Sequence, residues 1–198
     1  MKEHEWHGPG RVQVDVLPAG QDLLEQGHVE WKSGHKMSLV GMRLAFEHAV
    51  PVPTAPDLSV NVAPLHVLAL LKIVAYQDRP HQRQRDLEDL AFMMEEYVGA
   101  DDDRLWTDVP SQIEYECRPA FLLGLDLGPL LNESELGIVA RIVALLRGEG
   151  QDTTRPRFLR GGPARWRVDD NDEDGRLDGV IAAFEAGLAA RPQASPAS

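Results

Sequence analysis

The first part of the chain arranges polar and apolar residues in short runs. Residues 11–17 alternate with a period of two, which is typical of a strand with one buried face. Short stretches at residues 28–31, 50–52 and 58–63 predict further strands, and a proline-rich turn separates the last two. Residues 41–49 predict a short helix. The pattern therefore predicts a small β-sheet early in the chain.

Longer segments with helical periodicity follow. Pro64 predicts a helix start, and residues 65–76 are apolar on nearly every side, which indicates burial. Residues 83–98, 133–147 and 175–190 predict three more helices because apolar residues recur at spacings of three and four. Strands that precede helices are typical of an α+β fold, here with a helical C-terminal part.

Three regions follow from this pattern. Residues 1–98 hold the strands and the first long helices, residues 99–148 form a helical extension, and residues 149–198 contain a loop, a terminal helix and a disordered tail. Acidic residues 170–178 match the first half of an EF-hand loop, but Ile181 stands where that loop needs a bidentate glutamate. An acidic turn before the last helix is the simpler interpretation.

Composition indicates a cytoplasmic protein with no membrane association. The 198-residue chain has a formal net charge of −12, which disfavours broad affinity for nucleic-acid backbones. No apolar run reaches the length of a membrane helix, and residues 1–11 lack the apolar segment of a secretion signal. The single cysteine, Cys117, stands beside acidic residues, so we interpret it as a packed small residue rather than a nucleophile.

Asp15 is the first candidate for chemistry. It is a carboxylate in the middle of a predicted strand, where burial is costly unless the group is paired or faces solvent. Because the side chains alternate, Arg11, Gln13 and Asp15 share one face of the strand, and all three could point to water. Asp15 is therefore either a solvated strand residue or part of a site.

Lys72 is the only charged residue of the apolar segment 65–76. A lysine in a helix can usually extend its ammonium to water along an apolar stem, but this helix has almost no polar face. Lys72, Tyr76 and Arg79 are spaced so that they can project toward one place. Two cations that converge near a helix end suit a triphosphate or another polyanion.

Asp86 and Asp89 lie three residues apart and share a face of the next helix. They could stabilise the positive end of the helix dipole and form ion pairs with Arg83 or Arg85. Alternatively, the two carboxylates could orient the cations of the preceding helix for a ligand. The sequence leaves both interpretations open.

Four motifs occur in a characteristic order. They are Val-Asp-Val-Leu-Pro at residues 14–18, Leu-Leu-Lys at 70–72, Ala-Tyr-Gln-Asp-Arg at 75–79 and Arg-Asp-Leu-Glu-Asp-Leu at 85–90. In order and spacing they resemble the abortive-infection (toxin–antitoxin) class of nucleotidyltransferases, within the DNA polymerase β-like superfamily. The resemblance covers about residues 11–98.

The resemblance implies a mixed sheet that holds a nucleoside triphosphate (NTP) and two divalent metal ions at one edge. Asp15 would be the third acidic residue of the metal site, would bind one Mg²⁺ and would help to activate the attacking hydroxyl. Lys72 would contact the triphosphate, and Arg79 would bind on the same phosphate side. Asp86 and Asp89 would support that pocket. Such transfer depends mainly on positioned charges rather than on covalent chemistry by the protein.

The chain also departs from the family's pattern. The family places a Gly-Ser turn and an Asp-x-Asp strand before the third acid, and residues 1–10 contain neither. A start codon assigned too late, a degraded gene or a scaffold that lost catalysis would each explain this departure. Because one carboxylate holds Mg²⁺ only weakly, metal binding is expected to be weak or absent.

Two hypotheses about function remain. The first is a nucleotidyltransferase that transfers a nucleotide from an NTP to an unknown acceptor, such as RNA or protein, and that is either active or inactive as this chain. The second is a non-catalytic interaction module of a toxin–antitoxin type system, beside an antitoxin-type partner. The missing strand would leave a sheet edge uncovered, which predicts a homodimer or a remodelled edge.

Overall fold

Short strands occupy the first third of the chain, and helices dominate the rest. The computed structural model describes residues 5–8, 10, 12–148, 154–163, 166 and 176–190. Within these residues the α+β class and the helical C-terminal part are confirmed. None of the described helices combines the length and apolar character needed to cross a membrane. The acidic turn at residues 170–175, where an EF-hand-like loop was considered, lies outside the described residues.

The described strands form three separate antiparallel pairs. The pairs are β1 (Glu5–His7) with β2 (Gln13–Asp15), β3 (His28–Glu30) with β4 (Lys36–Ser38), and β5 (Val50–Ala55) with β6 (Leu58–Val62). The sequence predicts one mixed sheet, whereas each described strand pairs only with its neighbour in the chain. Short connections favour such hairpins, because closing a short loop costs little entropy. Residues 5–7 form β1, a strand that the sequence did not predict.

Nine α-helices lie in the part of the chain that the structure describes. They are α1 (Gln21–Gln26), α2 (Met42–Glu47), α3 (Leu65–Asp78), α4 (Gln84–Glu95), α5 (Arg104–Thr107), α6 (Arg118–Leu127), α7 (Glu133–Leu146), α8 (Thr154–Gly161) and α9 (Arg176–Ala189). The periodicity predicted α2, α3, α4, α7 and α9. It missed α8, which lies in a segment interpreted as a long loop, and it did not resolve α6.

Helix α6 is almost wholly buried and packs against α9. The two helices approach closely because glycines face each other across their contact. A β-carbon built on Gly124 would lie 2.2 Å from the carbonyl oxygen of Phe184, and one on Gly187 would lie 2.1 Å from that of Phe121. Since only glycine lacks this atom, these positions set how closely the two helices pack.

Helix α3 is the central helix of the fold and contacts α4, α6 and α7. This explains why residues 65–76 are apolar on nearly every side, as the sequence indicates. Tyr76 lies in its last turn and hydrogen-bonds Thr154 of α8 through the two hydroxyl oxygens, 2.7 Å apart. Both residues are buried, so this bond ties α8 to the centre of the protein. The rigid helical layer thus supports the C-terminal end of α3.

A partly buried polar network joins helices α3, α5 and α6. Arg104 donates two hydrogen bonds to the Asp126 carboxylate, at 3.0 and 2.6 Å, and Tyr97 donates a third through its hydroxyl. His66 of α3 hydrogen-bonds Tyr97 at 3.1 Å. Burial alone would raise the pKa of Asp126, but the bonds from Arg104 and Tyr97 outweigh it and lower the pKa.

Asp126→Asn is therefore expected to lower the free energy of unfolding by about 1–2 kcal/mol at pH 7, because it removes a charged acceptor from two partners. The difference should shrink as the pH falls. A carboxylate whose pKa is lowered in the folded state contributes stability above its ordinary value of 3.8 and loses it as the pH drops through the folded value. Urea denaturation of both proteins between pH 7 and pH 3 measures this difference.

The matched control for this variant is Asp57→Asn, which changes an exposed carboxylate at the β5–β6 turn. It should change stability by no more than about 0.5 kcal/mol at pH 7, as is usual for surface positions. A loss that stays constant for Asp126→Asn down to pH 3 would contradict the ionic role of Asp126 and indicate a packing role.

Candidate functional site

A cleft of about 420 Å³ lies between the β1–β2 and β3–β4 hairpins on one side and helices α3 and α4 on the other. Its apolar lining includes Leu17, Trp31, Met37, Met42, Leu68 and Leu71. Its charged lining consists of Asp15, Lys72, Asp78, Arg79, Arg83 and Asp86. The cleft therefore combines an apolar and aromatic surface with three cations and three carboxylates. A ligand that has both an apolar part and a charged part suits such a lining.

Asp15 is the last residue of β2 and one of the residues that line the cleft. It is exposed, and its carboxylate accepts a hydrogen bond from the Gln13 side chain at 3.2 Å. Gln13 and Asp15 share one face of the strand, as the alternation requires. Asp15 is thus a solvated carboxylate that also borders the cavity that Lys72 lines.

Lys72 is a partly buried cation between two carboxylates. Its Nζ lies 3.0 Å from Oδ1 of Asp86 and also contacts Oδ2 of Asp89. Burial alone would lower the pKa of Lys72, but the hydrogen bonds and charges of Asp89 and Asp86 outweigh it and raise the pKa. Because its ordinary value is already 10.5, Lys72 is positively charged at neutral pH.

Asp86 is buried in the first turn of α4 and has two cationic neighbours. Besides Lys72, its carboxylate lies 3.0 Å from Nε of Arg83, the residue just before the helix. Asp89 is half-buried and does not line the cleft. The structure thus contains both the ion pair with Arg83 and the contact with Lys72 that the sequence left as alternatives. The role of Asp86 and Asp89 in supporting a ligand pocket stays a prediction.

Arg79 and Asp78 end helix α3 at the edge of the cleft. Arg79 donates a hydrogen bond to the side-chain oxygen of Gln82 at 3.2 Å. The carboxylate of Asp78 accepts the backbone N–H of Ser38 at 2.8 Å, which fastens β4 to the end of α3. Asp78 therefore sets the position of the β3–β4 hairpin, which contributes Trp31 to the cleft.

The sequence did not single out Arg83, Asp78 or Trp31 as site residues. Arg83 lies three residues before Asp86, and Asp78 directly precedes Arg79, so both lie close in sequence to residues that were selected. The signal in the sequence was the position of Arg83 and Asp78 at helix ends, where charged side chains interact with the helix dipole and with each other. Trp31 stands in a short turn, and only the packing of the hairpin against α3 brings it to the cleft.

Cys117 lies elsewhere and is buried. Burial, followed by the charges of Glu114 and Glu116, raises the pKa of its thiol to about 11. The thiol form therefore dominates at neutral pH, in agreement with a packing role.

The residues at the cleft do not fit a resident two-metal site. The described residues contain no group of three or more His, Cys, Asp or Glu side chains that could hold a metal ion. Asp15 is one exposed carboxylate, whereas Mg²⁺ prefers a nearly octahedral set of oxygen ligands. Magnesium binding at Asp15 stays a prediction.

No protein family, curated protein or solved structure matches the chain. The resemblance to nucleotidyltransferases therefore depends on the four motifs and on the cleft that their residues line.

Proposed function

We propose that the chain is a nucleotidyltransferase-like protein that binds a nucleoside triphosphate in this cleft. The observation that carries the proposal is that Asp15 lines the same cavity as Lys72 and Arg79, which lie more than fifty residues further along the chain. A volume of about 420 Å³ lies within the range of small-molecule sites. The order and spacing of the motifs that contain these residues support the same class of ligand.

The lining of the cleft suits the two chemical parts of a nucleotide. Trp31 and Met42 provide aromatic and thioether surface against which a base can pack. Arg79 and Lys72 provide N–H donors for phosphate oxygens. Arg79 is the stronger phosphate ligand of the two, because its partner Gln82 is neutral, whereas two carboxylates already neutralise Lys72.

Asp15 is the proposed acid–base group of the transfer. In nucleotidyl transfer, a hydroxyl of the acceptor attacks the α-phosphorus of the NTP, and pyrophosphate leaves. The exposed carboxylate of Asp15 borders the cavity and can accept the proton of an incoming hydroxyl. The proposed acceptor is a hydroxyl group of RNA, of a protein or of a small molecule.

Arg79→Gln is expected to weaken NTP binding about tenfold to a hundredfold, because a charged hydrogen bond to phosphate contributes roughly 1.5–3 kcal/mol. Isothermal titration calorimetry with each of the four ribonucleoside triphosphates, with and without Mg²⁺, measures the dissociation constants. The melting temperature of each variant, measured without nucleotide, establishes that the helix end has kept its fold.

The matched control is Arg141→Gln, which removes the same charge from an exposed arginine of α7 that hydrogen-bonds its own helix. Its dissociation constants should equal those of the unmodified chain within about twofold, since Arg141 does not line the cleft. Equal weakening by both variants would show non-specific charge attraction. An unmodified chain that binds no NTP at millimolar concentration would contradict the proposal.

A non-catalytic interaction module is the second candidate. It is favoured by the β5–β6 hairpin, whose residues are exposed along both strands although four of them are valines. Transfer of label from an α-labelled NTP to an acceptor separates the candidates. The enzyme transfers label and loses this activity in Asp15→Asn, whereas the module transfers none and does not depend on Asp15.

A further inference from the structure

The β5–β6 hairpin has one wholly apolar face. In its register Val50 lies opposite Val62 and Val52 lies opposite Val60, so the four valines share one side of the ribbon. Their exposed fractions are 49, 40, 39 and 46% respectively, and every residue of both strands is exposed. A two-stranded ribbon with this little support from the rest of the protein is marginally stable, and additional strands stabilise it.

The two edges of the hairpin differ. Pro51 and Pro53 lie opposite Asn61 and Ser59 in the register. Opposite pairs in an antiparallel ribbon alternate between hydrogen-bonded and non-hydrogen-bonded pairs. Because proline has no N–H to donate to a partner strand, the two proline pairs are the non-hydrogen-bonded ones, and their backbone groups point away from the partner strand. The outer edge of β5 therefore lacks donors at both prolines. The outer edge of β6 keeps the N–H and C=O groups of Ser59 and Asn61, so it is open to another strand.

The charge of this region favours a second copy of the same chain. Residues 49–65 contain one charged side chain, Asp57 at the turn, although the chain as a whole carries −12. Two copies would repel each other over most of their surface, but this patch is nearly neutral. The hairpin is thus the region where two identical acidic chains can approach at least electrostatic cost.

We propose that two copies of the chain associate through β6, which pairs antiparallel with the β6 of the second copy about a two-fold axis at Val60. In this register Ser59 of each copy faces Asn61 of the other, and their outward N–H and C=O groups form four hydrogen bonds. The result is a four-stranded sheet with all eight valines on one face. The prolines block both outer edges, so the assembly closes as a dimer.

Sedimentation velocity over micromolar concentrations tests the association. The unmodified chain should form a dimer, and Asn61→Pro should weaken dimerisation at least tenfold, because it removes one outward N–H from each copy and leaves the β5–β6 bonds intact. Asn61→Thr keeps the N–H and should dimerise as the unmodified chain does. Far-UV circular dichroism spectra that match the spectrum of the unmodified chain show that both variants fold, whereas melting temperatures also depend on association. A monomer at all concentrations, or an Asn61→Pro dimer of unchanged affinity, would overturn the proposal.

Disulfide cross-linking tests the register. Val60→Cys places two thiols at the proposed axis, where facing α-carbons are about 4.5 Å apart, within disulfide reach. Val52→Cys is the control, because β5 of each copy lies on the far side of its own β6. The native Cys117 is buried and does not compete. Mild oxidation should link Val60→Cys copies and leave Val52→Cys copies unlinked. Equal cross-linking of both variants would exclude the β6–β6 register.

Discussion

Gly187→Ala is expected to lower the free energy of unfolding by about 3 kcal/mol, near the upper end for over-packing of a core. A β-carbon at this position would lie 2.1 Å from the carbonyl oxygen of Phe121 and 2.8 Å from the backbone nitrogen of Leu125. Both atoms belong to the backbone of α6, so no side-chain rotation relieves the contact. Helices α6 and α9 would have to separate, which would loosen the packing of Phe184 and its neighbours.

The control for this prediction is Gly137→Ala. Gly137 lies within α7, and a β-carbon there would meet no atom within 4 Å. Since glycine in a helix interior costs roughly 0.5–1 kcal/mol relative to alanine, this variant should be more stable than the unmodified chain. Urea denaturation measures both free energies. A loss below about 1 kcal/mol for Gly187→Ala would show that α6 and α9 are not in such close contact in solution.

Long helices with regular periodicity were predictable from the sequence, but the elements against which each helix packs were not. The start of α7 shows how local the signal is. The Asn132 side chain accepts the N–H of Glu135, and the Glu135 carboxylate accepts the N–H of Asn132. Such a cap can be recognised within four residues. The packing of α6 on α9 depends on Gly124 and Gly187, which are far apart in sequence and look like helix breakers when each is considered alone.

Helix α8 was missed for a related reason. Its sequence is basic and includes Pro156, which favours an irregular segment when no context is given. In the structure Gly161 packs against the backbone of Glu88, and the Phe158 ring stacks on Trp166 with centroids 5.8 Å apart. Arg157 forms an ion pair with Glu88 at 2.8 Å. These contacts with α4 and its surroundings stabilise a helix that local propensity does not favour.

The candidate site was predictable where charge interrupts an apolar pattern. Lys72 stood out because its helix has no polar face, and Asp86 and Asp89 stood out because they share one face of the next helix. The structure brings these three together. The sequence offered an ion pair between Arg83 and Asp86 as one of two interpretations, but it did not predict that Asp78 binds the backbone of the β3–β4 hairpin. That contact depends on how the hairpin and helix α3 meet, which no local pattern encodes.

The position of Lys72 between two acids has two consequences that can be separated. The carboxylates hold its ammonium in place at the cleft, which is what a phosphate site requires. They also make Lys72 part of the stability of the α3–α4 contact, because Asp86 is buried and depends on its cationic neighbours. Loss of nucleotide binding on removal of Lys72 would therefore be ambiguous unless stability is measured in parallel.

Lys72→Met is accordingly expected to lower the free energy of unfolding by about 2 kcal/mol. Without Lys72, the buried carboxylate of Asp86 keeps one cationic neighbour, Arg83, and no cation separates it from the carboxylate of Asp89. Removing one partner of a fully buried pair costs about 3–5 kcal/mol, and the smaller value allows for the 31% exposure of the Lys72 side chain and for the remaining Arg83. The pKa of Lys72 is raised above 10.5, so the cost should be the same at pH 7 and pH 10.

A double-mutant cycle with Asp86→Leu tests the cause of this loss. If the cost comes from an uncompensated buried carboxylate, replacing both partners by apolar side chains should restore at least about 1 kcal/mol relative to Lys72→Met alone. Lys32→Met is the control for loss of a lysine charge at an exposed position, and it should stay within about 0.5 kcal/mol of the unmodified chain. Purely additive effects in urea denaturation would show that Lys72 and Asp86 do not stabilise each other, because a direct ion pair must produce coupling. Coupled effects would establish that Asp86 and Lys72 interact in the folded protein before any ligand binds.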